Sequence, residues 1–384
     1  MRQVDATRHH RPPSPLHSSH GASVRDQPTA EPAPDWTTQR TAVLEELDRH
    51  FARQPLGDRT TRAFTTLWSR LQDQVRGGKL VRPRLTLLAW SAFAAPDSPE
   101  QSDAVRLAAA FELLHAALIV HDDVVDRDHI RRGEPTVAEK YRQDIAATDA
   151  PEDEALHLGR SAAIIAGDVL LTGAFRLVST CAPGTPRGQA VAAVVFDAAT
   201  QAAAGELEDV LLSLHRFTPP HPEVEQILTM ERLKTASYSF EAPLRAGALL
   251  AGADEQTAEQ LAQVGSHLGV AYQVVDDLLG TFGDPSLTGK STTADLREGK
   301  ATVLTAHGVG QPEVQRQMLA WADGTGTVEQ VRTALEQSGA PKQATRIATE
   351  LVEQARTGLD RLQLPAGIRA ELDSLCHDVL HRSA

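Results

Sequence analysis

From about Trp36 onward, apolar residues recur at helical spacing almost without interruption, and no stretch alternates apolar with polar residues as a half-buried strand must. Leu85, Leu88, Ala89 and Ala92 form one such pattern, and Val105, Ala108, Ala109, Glu112, Leu113 and Ala116 another. Segments 105–121, 160–180, 189–214 and 258–279 are apolar over much of their circumference and rich in alanine, which predicts buried helices lying close together. Beyond Gly308 the pattern turns amphipathic over 311–322, 327–338 and 341–363, an expected outer layer. Pro, Gly and Asp mark turns at PDSPE (96–100), ATDAPEDE (147–154), CAPGTPRG (181–188) and FTPPHPE (217–223). The expected fold class is all-α, one helical bundle over residues 36–384.

A net charge of −13 should repel nucleic acid and anionic lipid, so any phosphate-bearing ligand must be met by local cations. The two cysteines, Cys181 and Cys376, have no neighbours at metal-ligand spacing. Residues 1–35 carry Pro, Ser and scattered His (9, 10, 17 and 20) without an apolar core, which predicts a disordered extension, not a secretory signal, and a cytoplasmic protein. Even SAAIIAGDVLLTGAFRLVST contains Asp168 and Arg176, so no membrane span is expected. Asp168 itself reads as a buried, partnered acid, and Ala-rich 198–204 as tight helix packing.

The run FELLHAALIV leads into HDDVVD, so a buried helix ends in carboxylates. Asp122 and Asp126 share a helix face, where like charges repel by about 0.2–0.5 kcal/mol. The helix macrodipole adds about 0.3–1 kcal/mol of penalty at that end. A bound cation would reverse both. The arrangement recurs where HLGVAYQVV (267–275) runs into Asp276 and Asp277. Two buried helices delivering paired acids to one cavity mouth would make an oxygen-only site, suited to magnesium shared with substrate phosphates. Cations accompany them: Lys79 and Arg82 in GGKLVRP, expected one turn apart on a helix with Pro83 in its first turn, then Arg131 and Arg132, Lys234 beside Thr235, Lys290 and Lys300. The GGK segment lacks Walker spacing.

These motifs resemble those of the trans-isoprenyl diphosphate synthases, or polyprenyl synthetases. GGKLVRP is similar to that family's GGKxxRP, DDVVDRDHIRRG to its first aspartate-rich motif with the trailing arginine pair, and QVVDDLLGTFGD to its second. KTASYSFEAPL, GDPSLTGK and DLREGKAT agree in type and order, over roughly residues 40–310. The resemblance implies a bundle around a deep apolar cavity, a homodimer, and the condensation of an allylic diphosphate with isopentenyl diphosphate using magnesium, with manganese as a substitute. By the same resemblance Asp122, Asp126 and Asp276 would bind metal. Arg131, Lys234, Thr235, Gln273, Lys290 and Lys300 would hold the allylic diphosphate, and Lys79, Arg82, His115 and Arg132 isopentenyl diphosphate.

One position departs from the pattern: the second motif reads DDLLG, with Gly280 where DDxxD has its last acid and Asp284 four residues on. Leu118, Ala117 and Leu114, which lie four, five and eight residues before Asp122, should point along one helix face toward the cavity floor, with Phe111 deeper. In this family a large aromatic at the position of Ala117 stops chain growth early, so the resemblance implies a product longer than farnesyl diphosphate, geranylgeranyl diphosphate first and longer polyprenyl chains next. The alternatives are a class I terpene cyclase, against which Lys79, Arg82 and Arg132 speak, and a noncatalytic partner subunit, against which the intact first motif speaks.

Overall fold

The computed structural model describes residues 35–382, apart from 54, 96, 97, 99, 216–220, 284–295, 297 and 298. The expected N-terminal extension (1–34), Asp284 and Lys290 therefore lie outside the described residues. The remainder is helical: α1 (Trp36–Ala52), α2 (Arg62–Val75), α3 (Val81–Phe93), α4 (Gln101–Val125), α5 (Val137–Ala146), α6 (Glu152–Val178), α7 (Pro186–Leu212), α8 (Val224–Glu231), α9 (Ala242–Ala251) and α10 (Glu255–Phe282). After these come α11 (Val303–Gly308), α12 (Pro312–Ala322), α13 (Val328–Ser338), α14 (Ala340–Asp360) and α15 (Ala366–Leu380). Between α8 and α9 the chain stays helical but widens to a π-helix over Arg232–Glu241. The one strand pairing among the described residues is a two-residue hairpin, β1 (Ile130–Arg131) with β2 (Glu134–Pro135).

Helix starts follow local chemistry. Side-chain oxygens of Asp35, Thr61, Thr136, Thr185, Asp254 and Thr327 cap the first N–H groups of their helices. The acidic end of ATDAPEDE does not stay in a loop: Glu152, Asp153 and Glu154 form the first turn of α6, where negative charge complements the macrodipole. Lys79 is likewise off the helix expected for it. Leu80 adopts a left-handed conformation (φ 52°) and α3 begins only at Val81, with Pro83 in its first turn.

Helix α4 packs against α1, α3, α6 and α9, and α10 against α9, α14, α15 and the π-helix. The π-helix touches α3, α4, α7 and α10 and so lies between the two acid-bearing helices. By length and composition three helices (α4, α6 and α7) qualify to cross a bilayer, which the charges within them had argued against. In the fold α4 is mostly buried, whereas α6 and α7 leave an apolar stripe bare at Leu158, Ile164, Ile165, Phe196, Leu207, Val210 and Leu211. Asp168, expected to be buried, is exposed on α6 beside His121, with Nε2 at 3.4 Å.

Candidate active site

At the C-terminal end of α4, Asp122 meets two cations: Lys234 Nζ lies 3.3 Å from Oδ1, and Arg131 Nη2 donates to Oδ2 at 3.1 Å. Burial alone would raise this carboxyl, but Lys234, Lys300 and Arg131 together hold it below the ordinary range. Asp126, one turn on, accepts from Lys300 Nζ at 2.7 Å. Lys234 also pairs with two acids of α7, Glu206 at 2.9 Å and Asp209 at 2.6 Å. Burial would lower its ammonium, yet these three carboxylates hold it above its usual value. Arg131 pairs in addition with Asp123, whose carboxyl burial pushes up to about 6 despite that partner, and with Asp128 at 3.1 Å.

One oxygen from each of Asp122, Asp126 and Glu206 lies within 4.8 Å of the others. Glu206 Oε1 is buried without a hydrogen-bond partner. A converging set of carboxylates with an orphan oxygen fits a hard divalent cation, and nothing softer than oxygen is offered. Neither Glu206 nor Asp209 carried a sequence signal beyond the acids of AGELEDV.

The second acid pair ends α10. Asp276 lies outside the three-acid group, and Arg382 Nη1 approaches it at 3.7 Å while the guanidinium stacks 3.9 Å over Tyr272. Asp277 faces inward at 8% exposure and accepts from Gln273 Nε2 at 2.9 Å. Near it lies Glu231, whose carboxyl is lifted well above the carboxylate range by burial and by the charges of Asp277 and Asp209. Both effects disfavour the ionised form of Glu231. Because Asp209 feels Glu231 and shares Lys234 with Asp122, the acidic ends of α4 and α10 join one charged network.

A second group of cations gathers beside it. Arg82 on α3 donates to Tyr238 Oη (3.2 Å) and Ser239 Oγ (2.7 Å) and lies 4.8 Å over the Tyr238 ring, while its Nε is buried without a partner. His115 Nδ1 is 3.3 Å from the same Tyr238 hydroxyl, and burial with the charges of Arg82, Arg132 and Arg131 keeps its imidazole neutral. Arg132 donates to Gly77 O at 2.9 Å from a left-handed residue (φ 54°), which ties the hairpin to the GGK turn. Lys79 is exposed on that turn. Leu80, Arg127 and Arg132, all non-glycine residues at positive φ, flank these cations, and such backbone strain concentrates where side chains must be aimed.

The π-helix serves both groups. Its wider turn presents Lys234 and Thr235 at one end and Tyr238 and Ser239 at the other, and π segments of this kind frequently mark functional sites. Of its residues only Lys234 and Thr235 had been singled out from the sequence. Among the residues expected to set product length, Phe111 and Leu114 have no exposed surface, Ala117 is 1% exposed and Leu118 is half-buried.

A family model of polyprenyl synthetases matches residues 66–338. The geranylfarnesyl diphosphate synthase of Aeropyrum pernix is 33% identical over 310 residues, covering 79% of this chain and 90% of its own. The (2E,6E)-farnesyl diphosphate synthase of Mycobacterium bovis is 31% identical over 319 residues, covering 80% of each chain. A crystal structure of geranylgeranyl pyrophosphate synthase from Corynebacterium glutamicum, complexed with isoprenyl diphosphate and magnesium, superposes with a TM-score of 0.78 at 28% identity, covering 90% of this chain and 99% of that one.

Proposed function

This chain belongs to the polyprenyl synthetase family of trans-prenyltransferases, and from that premise we propose that it condenses isopentenyl diphosphate head-to-tail with an allylic diphosphate, using magnesium, to give geranylgeranyl diphosphate. The observation that carries the reading is the pair of neighbouring cation groups joined by one π-helix: Lys234, Arg131 and Lys300 among carboxylates, and Arg82, His115 and Arg132 around Tyr238. Two groups suit two diphosphates. A terpene cyclase has only one to hold.

Asp122 and Asp126, with Glu206 beside them and Asp276 on the facing helix, would hold magnesium, which when bound neutralises charge on a departing diphosphate. In this reading Lys234, Arg131 and Lys300 exchange their carboxylate partners for diphosphate oxygens and stabilise the leaving group as the allylic C–O bond breaks heterolytically. The packed apolar wall of α4 keeps water from the allylic cation. The double bond of isopentenyl diphosphate, oriented by Lys79, Arg82, His115 and Arg132, attacks the cationic carbon, and a proton passes to the released diphosphate as the double bond is restored. Thr235 and Gln273 orient the allylic diphosphate from the π-helix and α10, and Lys290, outside the described residues, is assigned with them. Gln273 Nε2, donating to Asp277, helps hold the end of α10 where the motif lacks its last acid at Gly280.

Ala117 supports the product length. A growing chain meets a methyl group there and must push past Leu118, Leu114 and finally Phe111. Ala117→Phe should shorten the main product to farnesyl diphosphate, read by sizing the dephosphorylated alcohols. The apolar stripe of α6 and α7, where Phe175 and Phe196 meet edge-to-face at 4.9 Å, supports a homodimer built on these helices. Residues 36–384 are read as one unit.

The test is incubation of purified protein with magnesium, isopentenyl diphosphate and each allylic primer in turn. Elongated diphosphates are expected. A hydrocarbon released without isopentenyl diphosphate would replace this reading with the cyclase.

A further inference from the structure

Three residues before His115, Glu112 is buried at 5% exposure within the apolar helix α4. Its Oε1 lies so close to Gly78 that a Cβ there would sit 2.7 Å away, and its Oε2 has no hydrogen-bond partner. Burial raises its carboxyl above the ordinary range, and the charges of Arg82 and Arg132 offset that only in part. Yet among the described residues neither guanidinium is paired with a carboxylate: Arg82 donates to Tyr238 and Ser239, and Arg132 to Gly77 O. An acid beneath a diphosphate pocket repels the ligand, so electrostatics alone would disfavour it. What offsets this is geometry. Arg82 comes from α3 and Arg132 from the hairpin after α4, and the two cations must converge against their mutual repulsion, Arg132 from a strained backbone.

We propose that Glu112 is a positioning residue for the homoallylic substrate: a buried counter-charge, seated against Gly78, that draws Arg82 and Arg132 together without occupying their N–H groups. It acts through the field and leaves the donors to the diphosphate. The arrangement also accounts for the second glycine of GGKLVRP, since any side chain at 78 would drive the carboxylate from its seat. The inference rests on the assignment of this pocket to isopentenyl diphosphate.

Two measurements on the full chain test it. With the allylic primer saturating, Glu112→Gln should raise the KM for isopentenyl diphosphate about tenfold, as for other groups that orient a ligand-binding side chain, while the KM for the primer stays within about twofold. Gly78→Ala, which keeps the charge but displaces it, should shift the same constant in the same direction. Calorimetric binding of isopentenyl diphosphate without metal should weaken in parallel, and it reads the pocket independently of turnover. An unchanged or lowered KM in Glu112→Gln would overturn the proposal, because the acid would then only repel substrate. Equal rises in both KM values would make it a general structural residue. Wild-type protein that binds isopentenyl diphosphate but elongates no primer would count against the proposed function and leave this inference to the binding data.

Discussion

Asp122 sits between Lys234 and Arg131, so its environment is a balance that neither the sequence spacing nor the helix dipole conveys. Read from spacing alone, removing it relieves repulsion with Asp126. In the fold, removal also takes a partner from two cations, although Lys234 keeps Glu206 and Asp209. Asp122→Asn should therefore cost about 1–2 kcal/mol of stability, measured by urea unfolding, and lower kcat by on the order of 10²–10³, measured with saturating substrates. A kcat within threefold of wild type would remove Asp122 from the reaction. His50 gives a second prediction at this scale. Packed against Phe51 and Trp68, its imidazole is pushed from 6.5 to about 4 by burial and by Arg176. As pH falls through 6.5 the unfolded chain takes up the proton before the folded one, so the stability from neutral His50 is intact above that pH and lost as pH falls toward 4. The full loss is about 3 kcal/mol. His50→Gln should flatten that part of the unfolding free energy between pH 7 and 4.5; an acid loss equal to that of wild type would assign the dependence to other groups.

At the scale of elements, the contact between α7 and the π-helix decides where Lys234 stands. Gly205 lets the two backbones touch: a Cβ there would fall well inside contact distance of the Lys234 amide nitrogen and only 2.6 Å from its Cα. Backbone cannot yield as a side-chain tip can. Gly205→Ala should destabilise the protein by about 1–3 kcal/mol, as overpacking does, and reduce turnover more than Gly324→Ala, where the added methyl meets open space but strains a positive φ. Equal losses of turnover would mean that strain, not the placement of Lys234, is what activity senses. Expectation and structure also part company most clearly at this scale. Helical periodicity locates α12 to α14 within a few residues, because an amphipathic face is a local signal, as is the capping Thr327 of α13. The π-helix has no such signature: an extra residue per turn is selected by what packs on either side, here α7 and α10. Lys79 lies off α3, against the expectation from sequence, for a related reason: the left-handed Leu80 is held by its burial and not by its own propensity.

For the whole molecule, the bare stripe on α6 and α7 is the feature most in need of a partner. Ile165 is 56% exposed and Leu207 59%, values expensive for side chains of this size to leave in water. The double variant Ile165→Glu, Leu207→Glu should sediment as a monomer where the parent sediments as a dimer; a parent that is monomeric at micromolar concentration would assign the stripe to something other than self-association.

The sequence by itself determined the helical class, the order of the motifs, the two acidic helix ends and most of the cations, because each of these is written in residues adjacent in the chain or one turn apart. The tertiary structure alone decided which charges meet. Glu206 and Asp209 reach Lys234 from 28 and 25 positions earlier, Lys300 reaches Asp126 across 174, and Tyr238 links Arg82 to His115 across more than a hundred. Such pairings depend on helix packing, and the energy of a charge depends on its distance to the others and on the water excluded around it, quantities that no local pattern encodes.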